Sequence, residues 1–148
     1  MYTLEEFDKA KTKILKYIIY KKRSEQEIKR KFESVYQEDL LEDVIEYLKE
    51  AKYINDTEYI RKTINNFMIL KNLSIKEIKY KLLSKGINKN DIEDYIDKNQ
   101  EELEDYEVKS ATNIIIKKDT MEVEEIKQYL LRKGYAIDNI NKALEDLR

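Results

Sequence analysis

The sequence predicts an all-α protein built from three tandem three-helix units, and three observations carry that reading. Apolar residues recur with helical spacing along almost the whole chain. The 148 residues include no Pro and only two Gly, so little interrupts a helix. The tripeptide Glu-Ile-Lys occurs at 27–29, 77–79 and 125–127, separated by 50 and 48 residues, and a period near 50 points to stacked helical units.

Each element has its own signal. Thr3 with Glu6 opens the first helix as a capping box, in which hydroxyl and carboxylate satisfy amide protons that the first turn leaves without partners. Leu4, Phe7, Ile14 and Ile18 lie near one face of it. Ser24 with Glu27 opens the second helix, where Ile28 and Phe32 stand four residues apart. The third carries Leu41, Val44, Ile45 and Leu48. Asn55 with Glu58, a weaker cap, opens the fourth, faced by Ile60, Ile64, Phe67 and Met68. Ser74 with Glu77 opens the fifth, in which Ile78 and Leu82 take the places of Ile28 and Phe32. It ends in Lys85-Gly86-Ile87, a left-handed cap position that suits Gly. Ile92 and Ile96 mark the sixth helix, and Leu103, Val108, Ala111 and Ile115 the seventh. The eighth carries Ile126 and Leu130 and closes in Lys133-Gly134-Tyr135; Ile140 and Leu144 mark the ninth.

The offsets repeat as a set: a large apolar residue four beyond each Ile of Glu-Ile-Lys, then Gly86 and Gly134, then Ile92 and Ile140 six residues further. The expected units are 1–53, 54–99 and 100–148, forming an elongated, curved array. The first departs by having Tyr36 where the others have Gly, so its turn must close by another geometry or shift by a residue. Ile28, Phe32, Ile78, Leu82, Ile126 and Leu130 are expected in the core, where truncation to Ala costs about 2–5 kcal/mol.

Charge follows the same period. The chain has 29 Lys or Arg and 31 Asp or Glu, a net of −2 that excludes a uniformly basic nucleic-acid coat. Beneath the balance lie stripes: +8 over residues 9–31, −6 over 38–60, +7 over 61–89 and −8 over 91–107, fading to +2 and −1 in the last stretch. Such stripes either attract one another and keep a bundle soluble, or line up as a multivalent surface for a polyanion or an acidic protein.

Chemistry is sparse. The chain has no His, Cys or Trp, which removes thiol and imidazole nucleophiles, disulfides and Cys/His metal sites. Carboxylates such as Asp91, Asp94 and Asp97 sit on polar helix faces without a pocket-forming element, and two isolated Gly cannot cradle a phosphate. Neither an enzyme nor a cofactor or metal is expected. The apolar stretches are far shorter than a membrane span, and the first residues do not read as a secretory signal, so the expected setting is the cytoplasm. The 12 Tyr, including Tyr47, Tyr80, Tyr95 and Tyr129, are expected to pack half-buried at helix rims.

The candidate contact residues are the cations of the short second helices: Arg23, Lys29, Arg30 and Lys31; Lys76, Lys79, Lys81 and Lys85; and Lys127, Arg132 and Lys133. Only five of the 29 basic residues are Arg, which favours phosphate attraction or pairing to acidic protein over a base code. Glu27 with Lys31 and Glu77 with Lys81 also have the spacing of helix-supporting ion pairs.

Several strings resemble the RecX family of bacterial recombination regulators. Arg23-Ser24-Glu25-Gln26-Glu27-Ile28-Lys29-Arg30-Lys31-Phe32 resembles that family's Arg-Ser-x-x-Glu-Leu-x-x-Lys-Leu segment. Tyr53-Ile54-Asn55-Asp56-Thr57-Glu58-Tyr59 is similar to its Tyr-Ile-Asn/Asp-Asp-x-x-Phe/Tyr segment, and Lys85-Gly86-Ile87 and Arg132-Lys133-Gly134-Tyr135 to its repeat-closing turns. The match runs over essentially the whole chain. It departs at Ala51-Lys52, where many members have a Gly before the Tyr, and longer members carry a segment ahead of the first repeat. The resemblance implies tandem three-helix architecture and a non-enzymatic modulator, usually an inhibitor, that lies in the groove of the RecA–DNA filament. There it would reduce ATP turnover, strand exchange and co-protease activity. The chain itself is expected to be a monomer. The rival readings are a stand-alone DNA-binding module contacting phosphates and a helical adaptor for another protein.

Overall fold

The computed structural model describes residues 1–147; Arg148, the last residue of the expected third unit, lies outside the described residues. Among the described residues there are nine α-helices and no strand: α1 Leu4–Tyr20, α2 Glu25–Phe32, α3 Glu38–Glu50, α4 Asp56–Leu70, α5 Ile75–Ser84, α6 Lys89–Lys98, α7 Gln100–Lys117, α8 Val123–Lys133 and α9 Ile137–Asp146. The all-α class is as predicted. No helix among the described residues is long and apolar enough to cross a membrane.

Caps set the helix starts. Full capping boxes form at Ser24–Glu27 and Ser74–Glu77, with hydroxyl and carboxylate each accepting an amide proton. At Thr3 and Asn55 the side chain accepts from Glu6 and Glu58 backbone N–H groups, 3.1 Å each, so only the hydroxyl half of the box expected at Thr3–Glu6 forms. Three helices end in a left-handed residue followed by an amide that reaches back five residues, the geometry that satisfies the last orphan carbonyls. After α5 the residue is Gly86 (φ 84°), with Ile87 N–H donating to Leu82 O; after α8 it is Gly134 (φ 98°), with Tyr135 N–H donating to Leu130 O. After α3 it is Lys52 (φ 66°), with Tyr53 N–H donating to Leu48 O, so the departure from Gly noted in the sequence falls on a position whose backbone suits Gly. The Tyr36 turn does close differently: Val35 and Tyr36 N–H groups both donate to Phe32 O without a left-handed residue.

The first and third helices of each triplet pack together, α1 on α3, α4 on α6 and α7 on α9, and the second helix closes the gap. Buried side chains gather in three clusters. The first runs from Ala10 to Ile54 and the second from Tyr59 to Tyr106. The third runs from Ala111 to Ala143, so α7 gives Leu103 and Tyr106 to one cluster and Ala111, Ile114 and Ile115 to the next. Ile28, Phe32, Ile78, Leu82, Ile126 and Leu130 are all buried. The molecule exposes 9913 Å². A compact monomer of 17.9 kDa would expose about 8,000 Å², so the chain leaves more surface open than a compact body of its mass, and its buried side chains divide among three small clusters.

Candidate partner-binding surface

The helices that carry Glu-Ile-Lys meet end to start. The closing turn of α5 rests on the opening turn of α2: a β-carbon on Gly86 would stand 2.6 Å from Gln26 Cγ. The closing turn of α8 rests on α5 in the same way, where a β-carbon on Gly134 would stand 2.8 Å from Lys76 Cβ. The Ser74 hydroxyl donates to Lys133 O at 2.8 Å across that junction. Gln26 and Lys76 are both two residues past a capping Ser, 50 residues apart, so the two junctions use corresponding positions. Each sets the negative end of one helix dipole against the positive end of another.

A carboxylate from the neighbouring long helix completes each junction. Asp56 Oδ1, at the start of α4, accepts from the Glu25 N–H at 3.0 Å; Glu107 Oε1, in α7, accepts from the Ile75 N–H at 2.9 Å. Both amides are the first of their helices, among the donors a helix cannot satisfy internally. Glu107 is buried, and its other oxygen accepts from Asn139 Nδ2 at 2.5 Å and the Ala136 N–H at 3.3 Å, tying α5 to the start of α9. Burial holds the Asp56 carboxyl above the usual carboxylate range, with the charges of Glu25 and Asp91 acting in the same direction. For Glu27, burial acts upward but is outweighed: the Tyr59 hydroxyl donates to it at 2.6 Å and Ser24 bonds it through backbone and side chain, holding it below the usual range. Burial, then the bond to Glu27, pushes the Tyr59 phenol well up.

These contacts overturn one expectation. Neither Glu27–Lys31 nor Glu77–Lys81 forms an ion pair, because both carboxylates fold back onto their capping Ser, and Glu77 pairs with Lys133 at 3.7 Å. The lysines turn to aromatic rings instead. Lys31 Nζ lies 5.8 Å from the Tyr17 ring centroid and Lys81 Nζ lies 6.0 Å from that of Phe67. Ring and cation are each displaced by 50 residues, so the contact recurs with the Glu-Ile-Lys spacing. Another expectation fails at Tyr80, which is 74% exposed rather than half-buried; Tyr95 and Tyr129 are half-buried as expected, and Tyr47 is more open.

The eleven candidate cations divide into two groups. The Lys of each Glu-Ile-Lys is neutralised internally: Lys29 by Glu25 at 3.7 Å, Lys79 by Glu93 at 3.0 Å and Lys127 by Glu124 at 3.8 Å. Lys133 is paired as well. Arg23, Arg30, Lys31, Lys76, Lys81, Lys85 and Arg132 have no carboxylate within ion-pair distance among the described residues. Arg23 packs its guanidinium carbon 4.3 Å from the Tyr17 centroid and leaves its Nε buried without an acceptor. Arg30 meets the junction directly, its Nη2 3.6 Å from the β-carbon position of Gly86. The free cations therefore sit along α2, α5 and α8 and at their junctions, with their charge available to an outside anion.

Sequence reasoning missed the residues that join the helices: Gln26, Asp56, Glu107 and Asn139. Asp56 and Glu107 carry no local mark, since each acts on an amide more than 30 positions away. It also missed Ile19, Tyr20, Ile69 and Leu70, strongly exposed apolar residues at the ends of α1 and α4. Their spacing of 50, equal to that of the first two Glu-Ile-Lys segments, was the available signal.

No family model matches the chain. It is 32% identical over 148 residues to the regulatory protein RecX of Clostridioides difficile (strain 630), covering 97% of this chain and 70% of that one. It is 30% identical over 138 residues to the regulatory protein RecX of Staphylococcus carnosus (strain TM300), covering 90% of this chain and 52% of the relative. A crystal structure of RecX from Lactobacillus salivarius superposes with a TM-score of 0.84 at 25% identity, over 98% of each chain. A second, of a regulatory protein RecX, agrees in fold, with a TM-score of 0.78 over 94% of this chain and 73% of the other. Since the sequence agreement spans nearly the whole chain and the backbone agreement takes in the helices that carry the basic residues, this chain belongs to the RecX family of regulatory proteins.

Proposed function

We propose that the chain is a monomeric, cytoplasmic regulator that binds the RecA filament on single-stranded DNA. It acts by contact rather than catalysis, restraining RecA's ATP turnover, strand exchange and co-protease activity. The observation that carries the reading is the distribution of free cations along three successive helices that meet through corresponding junctions. A filament offers a binding surface at regular intervals, and a chain of small units, which we take as 1–53, 54–99 and 100–148, answers it with free cations on three successive helices, Lys31 and Lys81 at corresponding positions and Arg132 on α8. Individually weak contacts on such an array gain through high effective concentration once the first has formed. Arg23, Arg30, Lys31, Lys76, Lys81, Lys85 and Arg132 are the proposed contacts, to acidic protein surface or to DNA phosphates. Lys29, Lys79, Lys127 and Lys133 hold the scaffold through their internal pairs.

One titration tests the reading. The chain is added to RecA assembled on single-stranded DNA while ATP hydrolysis is followed, and binding to the bare DNA is measured alongside. The expected result is suppression of hydrolysis at concentrations too low to coat bare DNA. Equal affinity for bare DNA would make the chain a stand-alone DNA-binding module, and no response in either assay would make it an adaptor for something else.

A further inference from the structure

We propose that the exposed apolar ends of α1 and α4 are paired hydrophobic anchors that enter equivalent pockets, rimmed by acidic side chains, on successive subunits of a protein polymer. Ile19 is 70% exposed and Tyr20 87%; Ile69 is 80% exposed and Leu70 76%. Single exposed apolar residues are ordinary, but here an adjacent apolar pair that begins with Ile, Ile19-Tyr20 and then Ile69-Leu70, recurs after 50 residues, the distance between the Glu-Ile-Lys segments of α2 and α5. The two helices also end alike, each on an extended Lys: Lys21 with φ −157° and ψ 134°, and Lys71 with φ −140° and ψ 150°. Both helices thus pass from an exposed apolar pair into an extended Lys, so the two ends share one backbone arrangement.

Chemistry selects the occupant. Branched aliphatic side chains neither bind phosphate nor stack on bases, so Ile19, Ile69 and Leu70 favour an apolar pocket of protein over nucleic acid. Lys21 and Lys71 follow the anchors immediately and have no carboxylate within ion-pair distance among the described residues, which suits a pocket with an acidic rim. Repetition on one chain suits a target that presents the same pocket again on its next subunit. This rests on the filament reading above and deepens it: the anchors supply the protein contact, while the free cations supply the electrostatic one.

The test uses the full chain with three sets of substitutions: Ile19→Ser with Tyr20→Ser, Ile69→Ser with Leu70→Ser, and all of them together. Because these side chains are exposed, the thermal midpoint is expected to stay put, and it is measured as the control. Binding of labelled chain to RecA filaments on single-stranded DNA is expected to weaken at least about tenfold for each pair and about a hundredfold for both, with affinity for bare DNA unchanged. Filament affinity of the combined variant within about twofold of the unaltered chain would overturn the anchors and leave the filament reading intact. An equal loss on bare DNA would assign these ends to nucleic acid, and a shift from dimer to monomer in sedimentation would assign them to a second copy of the chain; either result overturns the proposal. Failure of the unaltered chain to bind filaments would sink both the anchors and the reading beneath them.

Discussion

The Gln26 side chain packs on the backbone of Gly86, since a β-carbon on Gly86 would fall 2.6 Å from Gln26 Cγ and 2.9 Å from Gln26 Cβ. Gly86 therefore serves twice, as the left-handed closure of α5 and as the flat surface on which α2 sits. Gly86→Ala is expected to cost about 2–4 kcal/mol, from positive-φ strain together with the overlap. Adding Gln26→Ala removes the Cγ overlap but keeps the Cβ at 2.9 Å, so it should return part of the loss, whereas Gln26→Gly should return the whole overlap; chemical denaturation of the single and double variants would resolve the two.

The left-handed turn at Lys52 makes the opposite prediction. A non-Gly residue at φ 66° is strained, and Lys52 is exposed, so nothing opposes a smaller residue. Lys52→Gly is expected to stabilise by roughly 0.5–1 kcal/mol, the strain relieved less the added freedom of the unfolded chain. An unchanged or lowered denaturation midpoint would contradict this.

Glu107 is the buried tie between α5, α7 and α9. Glu107→Ala would strand the Ile75 and Ala136 amides and the Asn139 side chain, and is expected to cost about 3–5 kcal/mol. Amide hydrogen exchange offers a local reading: protection should fall first at Ile75 and Ala136, before any loss at α1 or α3.

Asp56 gives a pH dependence with a definite sign. Its folded carboxyl titrates above its unfolded value, so its contribution favours folding at low pH and is lost as pH rises through the folded value. Asp56→Asn keeps an oxygen for the Glu25 amide and removes the buried charge. The variant should unfold at a higher temperature than the unaltered chain at pH 7, and the advantage should vanish as pH falls below the usual carboxylate range. A constant advantage at all pH values would exclude charge as its cause.

Free and paired cations should differ in kind. Removing charge at Arg30, Lys31, Lys81 or Lys85 is expected to weaken partner binding about fivefold each. Lys29→Ala or Lys79→Ala should mainly perturb stability through the lost pairs with Glu25 and Glu93. If a free cation meets DNA phosphate, its removal also lowers the log–log salt slope by about 0.7–0.9; if it meets a carboxylate, that step is absent.

Much of this molecule was legible in the chain. Ser24–Glu27 and Ser74–Glu77 were readable as capping boxes because both partners lie within one turn, and Gly86 and Gly134 because few other residues tolerate their backbone. Most buried positions followed from helical spacing for the same local reason, but Leu4, expected on the inner face of α1, is 84% exposed because it is the first residue of the helix, beyond the packed Ala10, Ile14 and Ile18. Local spacing misled at Lys31 and Lys81, where an i,i+4 Glu was available on paper but already held by its helix start.

By itself, then, the sequence determined the all-α class, the order of the helices, the cap residues Thr3, Ser24, Asn55 and Ser74, the closures at Gly86 and Gly134, most of the core faces and the period near 50. Tertiary structure alone decided that Gly86 meets Gln26 and Gly134 meets Lys76, and that Asp56 and Glu107 cap helices more than 30 residues away. It also decided which of the eleven basic residues remain free. The physical reason is range: capping, propensity and periodicity act within a few residues, whereas a charge or an amide is satisfied by whatever packing brings within about 3 Å of it, wherever that lies along the chain.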